Sequence, residues 1–401
     1  MNVRPPTRTN VRLGDLAIFN PATPNLHSDE EVAFVPMAFV SELGTMRVAE
    51  LMSAGDLKPG YSYMQTGDVL VAKITPCFEN KKIAIAELAC MHGFGSTEFH
   101  VVRADSSALD NRYLLHFLRQ DRVRRSGERR MTGSAGQRRV PRQFLEELAL
   151  PLPPLHEQRR IAAILDQADD LRCKRREALT RVDKLSHSYF VELFGDPLVN
   201  PLHWPHSTSL GEVAEIVSGV TKGRKLNGAP TRSVPYLAVA NVQARALRLD
   251  NVKWIDATEN EISRYRLLRD DLLLTEGGDP DKLGRGTLWG GEINECIHQN
   301  HVFRVRLTSP DLSPVFLNWL VGSERGKRYF LSAAKQTTGI ASINMKQLRD
   351  FPLLIPPLKL QRAFAVRVAD VDKLKAQHRA HLAKLDALFA SLQHRAFRGD
   401  L

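Results

Sequence analysis

The chain has 401 residues, more than the roughly 250–300 at which a single hydrophobic core stops growing, so at least two domains are expected. Hydrophobic residues make up 43% and charged residues 25%, which excludes a disordered chain, and a formal net charge of +11 favours a polyanionic partner such as nucleic acid. The four cysteines form no CxxC pair, and no run approaches the roughly 18 apolar residues of a membrane span. Disulfide-rich, zinc-ribbon and membrane proteins are therefore excluded, and we expect a cytoplasmic location without a targeting segment.

The first 152 residues combine short strands with helix and are predicted to form an α+β domain. Residues 68–73 and 99–102 are β-like runs bounded by turn residues. Helical periodicity follows at residues 111–125. The proline-rich boundary at residues 151–154 cannot continue a helix and favours extended backbone, so it separates this domain from the next element.

A long helix is predicted within residues 153–197, because apolar residues recur there at heptad-like spacing. These residues are Ala168, Leu171, Ala178, Val182, Leu185 and Tyr189. The sequence Phe194-Gly195-Asp196-Pro197 carries a glycine C-cap signal and ends the helix.

Residues 198–355 repeat this order as a second α+β domain, and residues 356–401 form a second long helix. Strand-like runs lie at residues 234–239, 271–274 and 302–305, followed by a helical stretch at residues 314–329. The apolar stripe of the second helix consists of Val371, Leu374, Leu385, Leu388 and Leu392. Because both helices carry such a stripe, we predict that they pack together as an antiparallel coiled coil, with register fixed by Arg175, His378 and His381 in mid-helix.

The chain contains an internal repeat with a constant offset of 203 residues. Residues 153–194 align without a gap on residues 356–397, and both copies begin Pro-Pro-Leu. The same offset pairs Asp68 with Asp271 further upstream. A period of this length exceeds the roughly 20–50 residues of solenoid repeats and predicts two domains in a pseudo-two-fold tandem. Such symmetry suits a partner that presents the same surface twice, as duplex DNA does.

Basic and amide side chains cluster at turns beside the predicted strands, and we predict that they contact DNA. Lysine and arginine bind phosphates and guanine edges, whereas asparagine and glutamine pair with adenine. In the first domain these residues are Lys73, Lys81, Lys82, Gln137, Arg138 and Arg139. In the second domain they are Lys222, Arg224, Lys225, Lys282, Arg285, Gln299, Asn300, Asn344 and Lys346. The alternative is that the basic residues lie in solvated turns and that the side-chain amides form hydrogen bonds within the fold.

A dense basic segment lies between Arg119 and Arg142. It contains nine arginines, opposed only by Asp121 and Glu128, and has no equally dense counterpart in the second domain. The segment is either a nucleic-acid contact or an ordinary solvated surface.

Enzymatic alternatives have weaker support in the sequence. No GxxxxGK[ST] phosphate loop or methyl-donor glycine fingerprint is present, so nucleotide hydrolysis and methyl transfer are not expected. Asp68, Glu79 and Lys81 resemble the D…ExK pattern of Mg²⁺-dependent nucleases, but the repeat does not preserve the pattern. Cys296, His298 and His301 lack a fourth ligand at a spacing that suits zinc. We therefore predict no catalytic, cofactor or metal residue in this chain.

These features together resemble a specificity subunit of a type I restriction-modification system. The strongest matches are Pro-Pro-Leu…Glu-Gln-Arg-Arg-Ile at residues 153–161 and its weaker copy at residues 356–362. Gly67-Asp68-Val69-Leu70 and the glycine-rich residues 277–286 add to the resemblance. It covers essentially the whole chain and implies two target-recognition domains, residues 1–152 and 198–355, separated by the helical spacers 153–197 and 356–401.

The resemblance also implies partners. The chain would recognise a bipartite double-stranded DNA target, one half-site per domain, while methyltransferase subunits, usually two, bind the helical spacer and carry S-adenosylmethionine. A restriction subunit using ATP and Mg²⁺ would join them. The expected partner interface consists of Glu157, Gln158, Arg159, Gln361 and Arg362. The competing hypotheses are a stand-alone Mg²⁺-dependent nuclease and a pseudo-symmetric regulator that binds DNA alone.

Overall fold

A computed structural model describes residues 9–134, 136–226, 228–279, 283–337 and 340–401. The chain divides into two compact units. The first comprises Met1–Ala178 together with His378–Leu401, and the second comprises Leu179–Gln377. Each long helix is therefore shared between the units, with one half belonging to each.

Within residues 9–134 and 136–152, the first domain has ten strands and three short α-helices. Its strands are β1 (Thr9–Arg12), β2 (Ala17–Phe19), β3 (Glu31–Val35), β4 (Glu50–Ser53), β5 (Ser62–Met64), β6 (Val69–Ala72), β7 (Ile83–Ile85), β8 (Gly93–Gly95), β9 (Phe99–Ala104) and β10 (Ala149–Leu152). Its helices are α1 (Asn111–Leu118), α2 (Asp121–Arg130) and α3 (Arg142–Glu146). A four-stranded antiparallel sheet of order β2-β9-β6-β7 lies beside a second sheet of order β4-β3-β8-β5. Every residue of β6 is buried, because the strand is central and entirely apolar.

The second domain follows the same plan. Its strands are β11 (Ala214–Ser218), β12 (Arg232–Leu237), β13 (Val242–Gln243), β14 (Ala246–Leu247), β15 (Lys253–Ala257), β16 (Leu272–Thr275), β17 (Gly277–Gly278), β18 (Gly286–Leu288), β19 (Ile297–His298), β20 (Val302–Leu307), β21 (Lys335–Thr337) and β22 (Ile340–Ser342). Its helices, numbered in chain order after the long helix α4 (Leu155–Phe194), are α5 (Leu210–Val213), α6 (Glu259–Tyr265), α7 (Pro314–Val321), α8 (Glu324–Ala333) and α9 (Met345–Arg349). The sheet β11-β20-β16-β18 corresponds to β2-β9-β6-β7 of the first domain. The predicted α+β fold class is thus confirmed, and the repeat offset holds for the central strands and for α1 to α3.

The predicted helices at residues 111–125 and 314–329 are each two helices. In the first domain the break falls at Gln120, whose side chain is buried and donates from Nε2 to the Phe117 carbonyl oxygen at 3.0 Å. This contact satisfies a carbonyl that a continuous helix would have bonded internally. In the second domain the break falls at Ser323, where the Oγ accepts from the Gly326 amide.

In the first unit the first half of α4 packs against the second half of the other long helix, α10 (Leu358–Arg398). Arg172 Nε lies 2.6 Å from Asp386 Oδ1, and Arg175 Nη1 donates to His378 Nδ1 at 2.9 Å. Because position rises along one helix as it falls along the other, the pair is antiparallel. Of the three residues predicted to fix the register, Arg175 and His378 are in contact, whereas His381 is exposed.

In the second unit the second half of α4 packs against the first half of α10, again antiparallel. Lys375 Nζ lies 3.0 Å from Asp183 Oδ1, and the rings of Phe190 and Phe364 are 5.4 Å apart. Phe190 and Phe364 are buried within the core of the second domain.

The apolar stripes of the long helices are only partly buried. Val182 and Val371 are 7% and 6% exposed, but Leu171 and Leu388 are 47% and 49% exposed. A helix pair covers a narrow seam on each helix, so residues that flank it remain in solvent. Among the described residues, no helix is both long enough and apolar enough to cross a bilayer.

Candidate nucleic-acid interface

The first domain brings two of its predicted basic segments together. The turn after β6 and the loop between α2 and α3 are joined by backbone hydrogen bonds, from the Thr75 amide to the Arg138 oxygen at 2.9 Å and from the Val140 amide to the Lys73 oxygen at 2.8 Å. Gln137 and Arg138 are exposed beside this junction, and Lys73 is half-buried. Residues more than 60 positions apart therefore form one polar surface.

The equivalent junction recurs in the second domain. The Ile343 amide donates to the Glu276 oxygen at 2.9 Å, and Gly277 pairs with Ser342. Asn344 and Lys346 follow directly, at the start of α9. Gly277 sits close to its partner strand, since a Cβ there would lie 2.9 Å from the Ala341 oxygen.

A second loop pair of the second domain lies at the end of β11. The Val220 amide donates to the His298 oxygen at 2.8 Å, and the Asn300 amide donates to the Val220 oxygen at 2.9 Å. The predicted segments 222–225 and 299–300 therefore start from neighbouring strands. Lys222 and Lys225 are exposed, and predicted residue Lys282 lies outside the described residues.

Several predicted contact residues are engaged within their own domain. Arg139 forms a two-pronged ion pair with Glu98, with Nη2–Oε1 and Nε–Oε2 distances of 2.7 and 2.9 Å, and this contact lowers the pKa of Glu98. Arg224 pairs in the same way with Glu261. The sequence could not reveal these roles, because both partners lie 37 or more residues away.

Other predicted contacts are also partly occupied. Lys81 Nζ lies 2.9 Å from Asp121 Oδ1, which lowers the pKa of Asp121. Asn344 Oδ1 caps α9 by accepting from the Gln347 amide at 2.9 Å. Lys82 Nζ lies 3.4 Å from the Met37 oxygen. Among the predicted contact residues that the structure describes, the exposed cations without a hydrogen bond or ion pair of this kind are chiefly Lys222, Lys225 and Lys346.

The basic segment at residues 119–142 divides into internal and exposed arginines. Arg119 donates to the backbone oxygens of Lys81, Ile83 and Glu42 at 2.9–3.2 Å. It therefore ties α1 to two loops of the first domain. The exposed members are Arg122, Arg125, Arg129, Arg130, Arg138 and Arg142.

The nuclease alternative does not assemble a metal site. Asp68 is 2% exposed and is held by Arg103, with Nε–Oδ1 and Nη2–Oδ2 distances of 2.8 Å each. Glu79 accepts from Thr75 Oγ1 at 2.8 Å. Within the described parts of the chain, no group of three or more His, Cys, Asp or Glu residues could hold a metal ion. A carboxylate already neutralised by arginine is a poor Mg²⁺ ligand.

Asp68 instead belongs to a duplicated ion pair that sequence reasoning missed. In the second domain Asp271 is 1% exposed and pairs with Arg306 at 2.7 Å through both oxygens. The repeat offset matches both members of the pair, and this signal was available in the sequence. The pair links two central strands of each main sheet, since the acid directly precedes β6 or β16 and the arginine lies in β9 or β20.

The cysteine and histidines that we considered for metal binding are also structural. His298 is fully buried, its Nδ1 lies 2.7 Å from the Val302 oxygen, and burial lowers its pKa to about 4. Burial raises the pKa of the Cys296 thiol to about 12. His301 pairs with Glu276. The predicted residue Gln299 follows His298 and donates its backbone amide to the Leu237 oxygen at 2.9 Å.

The predicted partner interface contains two residues that a partner could not reach. Gln158 and Gln361 are both 0% exposed. Gln158 Oε1 accepts from the Asp110 amide at 2.8 Å, and its Nε2 donates to the Ala108 and Pro153 oxygens at 2.9 and 2.8 Å. The structure therefore assigns this residue to the joint between the first domain and α4.

Gln361 repeats this joint between the second domain and α10. It accepts from the Ser313 amide at 2.8 Å and donates to the Asp311 and Pro356 oxygens at 3.0 and 2.7 Å. Glutamine is mostly a surface residue, so the sequence alone favoured exposure. The other predicted interface residues are accessible: Arg159 and Arg362 are exposed, and Glu157 is half-buried and paired with Arg160 at 2.7 Å.

Comparison with known proteins agrees with the resemblance seen in the sequence. The family model for the type I restriction modification DNA specificity domain matches residues 8–181. The EcoAI specificity subunit of Escherichia coli is 40% identical over 181 residues, which span 44% of this chain but only 30% of that protein. The StySPI specificity subunit of Salmonella potsdam is 25% identical over 308 residues, 72% of this chain and 65% of that protein.

Two solved structures share the fold along the whole chain. One, from work on complex assembly and conformational transition of the type I R-M system, has a TM-score of 0.60 at 20% identity and covers 100% of both chains. The other is the type I restriction-modification S subunit from M. genitalium, with a TM-score of 0.54 at 14% identity over 99% and 98% of the two chains. Residues 8–181 are thus similar to the type I restriction modification DNA specificity domain, and the whole chain shares its fold with these two solved structures.

Proposed function

We propose that this chain is the DNA sequence-specificity subunit of a type I restriction-modification complex and is not itself an enzyme. Each domain recognises one half of a bipartite target, and the bases between the halves are not contacted. The helices α4 and α10 recruit methyltransferase subunits, two in number, which carry S-adenosylmethionine. A restriction subunit supplies the chemistry that uses ATP and Mg²⁺.

The observation that carries the proposal is the loop junction present in both domains. The backbone bonds between residues 73–75 and 138–140 recur between residues 276–278 and 341–343. The side chains at equivalent positions differ, with Lys73 and Arg138 in one domain and Glu276 and Ala341 in the other. A shared frame with different side chains suits two half-sites of different sequence, since base recognition depends on the donors and acceptors that reach the groove.

Modified-base sequencing of cells that express the cognate methyltransferase subunit, with and without this chain, tests the proposal. Methylation should appear only with the chain, at a two-part motif with a fixed gap. The variant Arg138→Ala should relax one half of the motif or, if the contact is to phosphate, weaken binding and reduce the salt slope by about 1. The other half-site should stay unchanged.

Arg112→Ala is the matched control, because Arg112 is an exposed arginine of the first domain outside the predicted contact segments and pairs with Asp166 at 3.2 Å. It should leave the motif intact. Unchanged methylation with and without the chain, with both proteins soluble, would contradict the specificity role. Mg²⁺-dependent cleavage by the purified chain that is lost in Glu79→Ala would favour the nuclease alternative, and tight specific binding without partners would favour the regulator.

A further inference from the structure

A cationic cleft of about 160 Å³ lies in the second domain, outside the loop junctions described above. It is bordered by the β13–β14 turn, by the turn before β18 and by the junction of α7 and α8. Three cationic side chains line it, Arg245, Arg285 and Lys327. Its other lining residues are neutral: Ala244, Leu283, Gly284, Gly286, Asn318 and Gly322.

The three cations have few partners among the described residues. The guanidinium carbon of Arg245 lies 3.7 Å from the ring centroid of Trp319, and its Nη2 makes one long contact of 3.5 Å to the Gly322 oxygen. Arg285 Nη1 donates to Gln243 at 3.3 Å, while its Nε is buried without a hydrogen-bond partner. No carboxylate of the described chain forms an ion pair with any of the three.

Two acids that border an adjoining cavity contact other groups. Glu324 pairs with Arg328 at 3.3 Å, and Asp196 Oδ1 accepts from the Leu198 amide at 2.9 Å. Both acids border a larger adjoining cavity of about 480 Å³, which shares Arg245 and Lys327. Desolvation lowers the pKa of Arg245, so an anion placed beside this guanidinium would offset its loss of hydration.

The internal repeat shows that the corresponding place in the first domain is filled. Arg119, the counterpart of Gly322, lies over Gly44, where a Cβ would come within 2.7 Å of its guanidinium. Arg119 satisfies its donors on three backbone oxygens. In the second domain the arginine comes instead from the hairpin, at Arg245, which like Gly44 has a positive φ, 55° against 85°.

The repeat also accounts for the unpaired lysine. Arg124, the counterpart of Lys327, is neutralised in the first domain by Asp121 at 3.4 Å and by Glu128. Position 331, the counterpart of Glu128, is a leucine, and Glu324, the counterpart of Asp121, pairs with Arg328 instead. Compared with the first domain, the second domain therefore has an open cleft, guanidinium donors with fewer partners and one neutralising acid fewer.

We propose that this cleft binds a phosphate group. Arginine presents two parallel donors to phosphate oxygens, and lysine adds a compact charge. Helix α8, ten residues long, begins at Glu324 next to the cleft, and its amino-terminal dipole adds to the attraction for an anion. A DNA phosphodiester and a free phosphate or nucleotide offer the same oxygens. If the ligand is DNA, the inference rests on the proposed function and adds a contact to the DNA backbone. If the ligand is a free phosphate or nucleotide, the inference does not depend on the proposed function.

The test uses the full-length chain and inorganic phosphate at constant ionic strength, with chloride as the reference anion. Phosphate should raise the melting temperature of the wild-type chain and should bind in calorimetry. Lys327→Ala should weaken phosphate binding by about tenfold, the usual effect of one charge-assisted contact. Lys253→Ala, which removes an exposed lysine of the same domain outside the cleft, should leave binding unchanged. Equal phosphate binding by the wild type and Lys327→Ala, or no effect of phosphate beyond that of chloride, would overturn the proposal.

Arg245→Lys provides a second variant that keeps the charge and the folded hairpin. It should weaken phosphate binding while preserving the melting temperature in chloride, because lysine cannot present two parallel donors. Binding that survives in both Arg245→Lys and Lys327→Ala would also exclude this cleft.

A duplex DNA arm separates the two sources of phosphate. If the duplex displaces inorganic phosphate and Lys327→Ala reduces the salt slope of DNA binding by about 1, the cleft holds the DNA backbone. If phosphate stays bound beside DNA, a free phosphate or nucleotide is the ligand. A chain that binds phosphate at this cleft but directs no methylation would contradict the proposed function and leave the phosphate site in place.

Discussion

Removal of the Gln158 side-chain amide should loosen the joint between the first domain and α4. The fully buried amide makes three hydrogen bonds, one accepted from the Asp110 amide and two donated to the oxygens of Ala108 and Pro153. Each bond contributes about 1 kcal/mol net, and truncation leaves its backbone partners buried without a replacement. Gln158→Ala should therefore cost about 3 kcal/mol of local stability.

Hydrogen–deuterium exchange of the full-length chain measures this loss where it occurs. At tenfold per 1.4 kcal/mol, amides at the start of α1 should exchange about 100-fold faster in Gln158→Ala. The equivalent peptide at the start of α7, which Gln361 supports, is an internal control that should not change. Gln167→Ala, an exposed position on the same helix, is the matched variant and should have little effect.

Two results would refute this reasoning. The first is an exchange rate at the start of α1 within threefold of that in Gln167→Ala. The second concerns Gln158→Glu, which places a carboxylate oxygen against two backbone oxygens. It should be at least as destabilising as Gln158→Ala at neutral pH and should improve on acidification, because only the protonated acid can donate there. Greater stability at neutral pH than at acidic pH would be inconsistent with the assigned contacts.

Three further predictions concern buried or paired charges. Arg103→Ala leaves the Asp68 carboxylate buried without its cation and should cost about 3 kcal/mol in denaturant unfolding, whereas a loss below about 1 kcal/mol would show that the pair is dispensable. Burial lowers the folded-state pKa of His298 to about 4, so the neutral imidazole contributes fully to stability above the ordinary histidine pKa of 6.5, and this contribution is lost as the pH falls towards 4. His298→Leu should flatten that part of the stability–pH curve, and an unchanged slope would contradict the assignment. Arg139→Ala should raise the pKa of Glu98 in an NMR titration, since the ion pair lowers this pKa. In the wild type the ion pair contributes to stability above the ordinary glutamate pKa, and this contribution is lost as the pH falls through the lower folded-state pKa. An unshifted Glu98 titration would exclude the contact.

Some features of the site could be predicted from the sequence because they depend on local pattern. The turns carrying Lys73, Arg138 and Lys222 were identified by glycine and basic residues beside strand-like runs. Lys73 and Lys222 do follow strands, whereas Arg138 lies in the loop between α2 and α3. The pairing of a charge could not be predicted in this way. Arg139 and Glu98 are 41 positions apart, so only the fold decides that this arginine is neutralised.

The two glutamines that the repeat matched illustrate the same limit. Gln158 and Gln361 were recognised as equivalent, but a polar side chain next to arginines is normally exposed, and both were predicted to face a partner. Both are buried because the start of each long helix lies against its own domain, where the backbone amides of Asp110 and Ser313 need hydrogen-bond acceptors.

The sequence by itself determined that the chain is duplicated, that each copy is an α+β domain followed by a long helix, and that the two helices pack antiparallel. These properties follow from periodicity, proline boundaries and a constant repeat offset, all of which are local or directly comparable within the chain. Only the tertiary structure decided which charges are paired and which are free. Ion pairs and clefts form between residues distant in sequence, and the guanidinium supplied by Arg119 in one domain and by Arg245 in the other could be matched only in three dimensions.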